Sequence, residues 1–151
     1  MTRAIFSLLT VLVLANIVSV LGQKVKTINE ADSDWREGIA STIEECKYLM
    51  SEETASYLED DYEYDNNEVR DFLGCLYTKL GYMKDCKMVA DTIHNDVNIY
   101  FDGVDSETCD AVHDAVDFCC KHEVDEHDSC PDAAGKFTNC LNRKKKNDVE
   151  K

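Results

Sequence analysis

Past its first thirty positions the chain repeats apolar residues at helical spacing and not in alternation, which predicts an all-α protein. Trp35, Ile39, Ile43, Cys46 and Leu49 make one stripe, with Ser33 or Asp34 as N-cap and Glu37 in the first turn. A short second helix starts at Ser51 and carries Ala55 and Leu58. The run LEDDYEYDNN has no stripe and reads as an exposed connection leading to an N-cap at Asn66 or Asn67. The third helix aligns Val69, Leu73, Leu76 and Leu80, with Phe72 and Tyr77 beside them, and Gly81 stops it.

A fourth helix is expected from about Asp85, with Cys86, Val89, Ala90, Ile93, Val97 and Tyr100 aligned, ending before Phe101-Asp102-Gly103. Ser106 caps a fifth, whose seam is Cys109, Val112, Val116, Cys119 and Cys120. Pro131, near the first turn, opens a sixth with Ala133, Ala134, Phe137, Cys140 and Leu141. One proline and six glycines leave few turn or strand signals, so the expectation is a six-helix bundle.

The first 22 residues are set apart from this pattern. Arg3 followed by the apolar run Ile5 to Leu14 and the small residues near Gly22 reads as a secretory signal peptide, leaving residues 23–151 as a single domain. No later run reaches the roughly 18 to 20 apolar residues of a membrane span. Secretion puts the eight cysteines in an oxidising compartment, where an even number in a short chain implies disulfides. Cys109 and Cys119 stand about 15 Å apart along one helix and cannot bridge each other there.

Charge narrows the partners. The chain carries 31 acidic against 16 basic residues, a net −15 that becomes about −16 when Arg3 leaves with the signal peptide. Such a surface repels nucleic acid and anionic membrane, and it keeps an extracellular protein soluble.

The stretches VRDFLGCLYTKLGYMKDCKMVADTI and DEHDSCPDAAGKFTNCL resemble insect odorant-binding proteins of the pheromone-binding and general odorant-binding type. Cys46 matches the family's first cysteine, Cys75 the third, Cys119 or Cys120 the fourth, Cys130 the fifth and Cys140 the sixth. The second is replaced by Asp71, and Cys86 and Cys109 are additional. The resemblance implies a Cys46–Cys75 bridge and one from Cys119 or Cys120 to Cys140. Two further bridges are then expected among Cys86, Cys109, Cys130 and the spare member of the Cys119/Cys120 pair.

The same resemblance implies a hydrophobic cavity for an odorant, pheromone, fatty acid or related lipid, with a membrane chemoreceptor as a candidate partner. Candidate wall residues are Leu73, Tyr77, Met83, Met88, Ile93, Val112, Val116 and Phe137, although periodicity does not distinguish a cavity wall from a filled core. No cofactor, metal or catalytic residue is expected. The tail from Asn142, NRKKKNDVEK, is too charged to plug a cavity and is expected in solvent. His94, His113, His122 and His127 are the candidates for pH sensitivity.

Three rival readings use other residues. Cys119-Cys120 and His127-Asp128-x-Cys130 are pieces of a secreted phospholipase A2 helix, but the cysteine-to-histidine spacing is too long and no glycine-rich calcium loop precedes it. His122, Asp125, Glu126 and His127 are a candidate metal cluster, against an exposed acidic inter-helix segment. The third is a salivary, venom or haemolymph scavenger of amines or lipids on the same fold, for which Asp61, Glu63 and Asp65, interleaved with Tyr62 and Tyr64, would suit a cationic amine.

Overall fold

A computed structural model of the chain describes residues 24–56 and 66–149. The signal-peptide segment and the acidic, aromatic residues 57–65 lie outside the described residues. Among those described are helices α1 (Ile28–Gly38), α2 (Ala40–Cys46), α3 (Glu52–Ser56), α4 (Asn67–Leu80), α5 (Ala90–Tyr100), α6 (Ser106–His122) and α7 (Cys130–Val149). A 3-10 turn, Lys47–Leu49, follows α2, and a hairpin of β1 (Met83–Lys84) and β2 (Lys87–Met88) follows α4.

The all-α class stands, with revised boundaries. The first helix starts at Ile28, not after Ser33 or Asp34. Thr27 accepts from the Glu30 amide while the Glu30 side chain accepts from the Thr27 amide, a reciprocal cap that the sequence TINE encodes. The expected single stripe breaks at Ile39, where φ −105° and ψ 11° divide α1 from α2. The α4 boundaries are as read: Asn66 caps its start, and Gly81, with φ 76°, ends it in the left-handed region where a glycine has no Cβ to clash.

The largest correction falls at residues 83–88. A helix from Asp85 is replaced by an antiparallel hairpin with Met83 opposite Met88 and Lys84 opposite Lys87. Asp85 and Cys86 both take positive φ at its tip, which a helix forbids, and Cys86 is bridged there to Cys130 at the start of α7. Helix α5 therefore begins only at Ala90. At α6 the cap is Asp105, not Ser106: its carboxylate accepts from the Thr108 amide, which holds the Asp105 carboxyl below its ordinary range.

Helix α7 runs on through the described part of the charged tail, to Val149. Arg143 pairs with Glu123 at 3.2 Å, and Lys145 with Asp32 on α1 at 2.9 Å. The Lys144 ammonium sits 3.9 Å from the centre of the Phe118 ring. The tail is thus charged and outside the core, as expected, yet held against α1 and α6 where free solvation was expected.

Helix α4 lies at the centre and packs most extensively on α7. Gly74 allows that approach, because a Cβ there would stand 3.3 Å from the Pro131 nitrogen. Three bridges fasten the arrangement: Cys46–Cys75 joins α2 to α4, Cys86–Cys130 the hairpin to α7, and Cys119–Cys140 joins α6 to α7. Cys119 therefore takes the place that the resemblance left open between it and Cys120. The two further bridges reduce to one, since Cys109 and Cys120 are free thiols. Cys120, next to Cys119 on α6, points to a different face, and Cys109 sits two turns and more from any other cysteine of its helix.

Candidate ligand-binding site

The helical spacing of Leu73 and Tyr77 turns both to the same side of α4, toward α7. Helix α7 answers with Phe137, α6 with Val112 and Val116, α5 with Ile93, and the hairpin with Met83 and Met88. All eight belong to one apolar cluster: six are buried, and Met88 and Val112 are half-buried at its edge. The hairpin that sequence periodicity missed places both methionines against this cluster.

Aromatic rings dominate its centre. Tyr77 meets Phe137 edge-on with centroids 6.1 Å apart, and it meets Tyr82 at 5.8 Å. Each hydroxyl is satisfied at the periphery. Tyr77 Oη lies 2.6 Å from Thr138 Oγ1, while Tyr82 Oη accepts from the Trp35 indole N–H at 2.8 Å and donates to Asp96. Burial, reinforced by the Asp96 hydrogen bond, pushes the Tyr82 phenol well above its ordinary range, so it stays a neutral donor. Tyr82 and Trp35 were not among the expected wall residues. Their signal was polar: a buried tyrosine and a half-buried tryptophan each need a partner for the O–H or N–H.

Among the described residues the cluster presents an apolar surface with a few fixed hydroxyls, and the free thiol packed against it, Cys120, is kept protonated by burial. The phospholipase arrangement does not form. His127 lies off the helix, between α6 and α7, with its side chain 87% exposed, and Cys119 is committed to Cys140. Of the suggested metal cluster, Asp125 instead holds the turn together, its carboxylate accepting from the His127 amide and its own amide donating to Asp128. Among the described residues, no three His, Cys, Asp or Glu side chains converge as a metal centre. The acidic tyrosine segment proposed for amines falls outside the described residues.

A separate open cleft of about 340 Å³ lies where α5 turns into α6. Val97, Phe101 and Val104 supply its apolar wall, and Asn98, Asp102, Asp110, Cys109 and His113 its polar one. None of the eight expected wall residues lines it. Desolvation, with Asp105, Asp110 and Asp102 nearby, raises the Cys109 thiol above its ordinary value and keeps it protonated.

A family model described as the PBP/GOBP family matches residues 29–144, from the start of α1 into the last turns of α7. The chain belongs to the PBP/GOBP family. Among solved structures, this PBP/GOBP chain is similar to the odorant-binding protein dmelOBP28a from Drosophila melanogaster. The TM-score is 0.61 at 14% identity, over 76% of this chain and 98% of that one, a likeness of fold. No curated protein sequence matches the chain.

Proposed function

We propose that this chain is a secreted carrier that reversibly holds one small apolar or amphipathic molecule, such as an odorant, pheromone, fatty acid or related lipid, among its cross-linked helices. One observation carries the reading: eight apolar side chains from α4 to α7 and the hairpin gather in a single aromatic and thioether cluster, within a fold and family of small-ligand binders. Methionines at the edge give such a site an adaptable surface, and each Å² of apolar ligand surface removed from water contributes roughly 25 cal/mol before association costs. Leu73, Tyr77, Met83, Met88, Ile93, Val112, Val116 and Phe137 are the proposed wall.

Retention without reaction is the reading this chemistry favours, since the cluster offers contact area and hydrogen-bonding hydroxyls, and the free thiol packed against it, Cys120, is held protonated by burial. Among the described residues no helix is long and apolar enough to cross a membrane. The carrier would accordingly deliver its cargo through solution, with a membrane chemoreceptor as the downstream partner. Displacement of an apolar fluorescent dye by long-chain alcohols or acids tests the reading; the oxidised chain is expected to bind saturably and to return the ligand unaltered.

A further inference from the structure

The cleft where α5 turns into α6 is separate from the apolar cluster, and its volume of about 340 Å³ falls within the roughly 300–1,000 Å³ of small-molecule sites. Its walls differ in kind. Val97, Phe101 and Val104 make one apolar, while Asp102 and Asp110 border the other. Among the described residues neither carboxylate has a hydrogen-bond or ion-pair partner, and no lysine or arginine lines the cleft. His113 is the one lining residue that can carry a positive charge, and its ring is engaged by His94 Nδ1 at 2.7 Å and by Asn98 Oδ1 at 3.1 Å.

Backbone and side chains give the cleft the same sign. The last turn of α5 supplies Val97 and Asn98, so the negative end of that helix dipole lies at the cleft. One ammonium, that of Lys26, already takes the Tyr100 carbonyl at this helix end and pairs with Asp34. The start of α6, which would attract an anion, is occupied by Asp105, accepting from both the amide and the hydroxyl of Thr108. The Cys109 thiol donates to the carbonyl oxygens of Phe101 and Val104 at 3.6 and 3.8 Å, so its proton is not offered to a ligand. This lining repels an anion, and a wholly apolar molecule would strip water from Asp102 and Asp110 without replacing it. An organic cation answers both walls: its ammonium group replaces that water, and its hydrocarbon body covers Val97 and the Phe101 ring.

We propose that the α5–α6 cleft is a second binding site, for a small organic ammonium ion whose charged group meets Asp102 and Asp110 and whose hydrocarbon body lies on Val97, Phe101 and Val104. Because the cleft is open to solvent, each charge contact is worth less than in a closed site, and the ligand exchanges rapidly. None of the eight residues proposed as the carrier's wall lines this cleft, so the site stands or falls apart from the carrier reading.

NMR titration of the oxidised chain at about pH 8 with 2-phenylethylamine, which is cationic there, tests the site against 2-phenylethanol, a neutral molecule of nearly the same shape. The amine is expected to shift the backbone amide resonances of Val97, Phe101, Cys109 and Asp110 saturably. Read at those amides, its affinity should exceed that of the alcohol by about 5-fold or more and weaken as salt is added. Asp102→Asn and Asp110→Asn should each weaken the amine about 2- to 5-fold, and the double substitution should remove its advantage over the alcohol. The comparison of amine with alcohol is made on the wild type and does not depend on how the variants fold. No saturable shift at the cleft overturns the proposal, as does equal binding of the two molecules there or an advantage that survives the double substitution. Shifts centred on Tyr77, Met83 and Phe137 would place the amine in the apolar cluster and overturn it as well.

Discussion

The Trp35 indole N–H donates to the Tyr82 hydroxyl at 2.8 Å, and through that hydroxyl α1 is joined to Asp96 on α5. Tyr82 is only 4% exposed, and it sits between the αL stop of α4 and the hairpin. One phenol thus links three segments that are distant in sequence. Tyr82→Phe keeps the ring and removes the link, leaving an indole N–H and a carboxylate short of a partner. The expected loss is about 1–2 kcal/mol of unfolding free energy, measured by denaturant titration.

The same residue sets an alkaline limit. Its phenol is held above the ordinary value of 10.0 in the folded chain, so the folded state keeps that proton longer than the unfolded state does. The associated stability is complete below pH 10 and falls as pH rises above it, by up to about 1.4 kcal/mol per pH unit for one proton. Denaturation midpoints recorded between pH 9 and 11 should fall more steeply for the wild type than for Tyr82→Phe. Parallel curves would show that Tyr82 does not set this limit.

Thiol chemistry separates the two unbridged cysteines. Burial, with Asp117 adding to it, pushes the Cys120 thiol up to about 11 from an ordinary 9.0, so at pH 8 its reactive thiolate is about 100-fold scarcer. Iodoacetamide under native conditions should label Cys109 first and Cys120 far more slowly, both more slowly than an ordinary exposed thiol. In denaturant without reductant, two thiols per chain should react. Peptide mapping that found Cys109 or Cys120 in a bridge would contradict this set of three disulfides.

Val116 distinguishes a wall from a filled core. It is 2% exposed and faces the cluster from α6. In a solid interior, Val116→Phe overpacks and costs about 1–3 kcal/mol. Beside a hollow, the larger ring enters the space that a ligand would use, so the expected outcome is stability within about 1 kcal/mol of wild type and dye affinity reduced several-fold.

Helix α4 was legible because every local signal agrees: Asn66 to cap it, a stripe through Val69, Phe72, Leu73 and Leu76, and Gly81 to end it. Ser33 and Asp34 failed as caps because either residue type is also tolerated inside a helix whose start is secured by the Thr27 and Glu30 pair. The hairpin left no periodic trace, since two-residue strands are too short to alternate. Its turn uses Asp85 and Cys86 in place of the Asn-Gly or Asp-Gly that would have announced it. What holds that turn is the bridge to Cys130, a contact 44 residues away that local pattern does not encode. The apolar cluster followed the same division: periodicity placed Leu73, Tyr77, Val116 and Phe137 on inward faces, but the roles of Tyr82 and Trp35 depend on hydrogen bonds between distant elements.

Carriage is tested most directly by titrating the oxidised chain with an apolar fluorescent dye and then displacing the dye with a long-chain alcohol or fatty acid. A carrier of this kind saturates near one dye per chain, releases the dye competitively and returns the added molecule unchanged. A correctly bridged, helical chain that shows no saturable dye binding, or that converts the competitor, would contradict it.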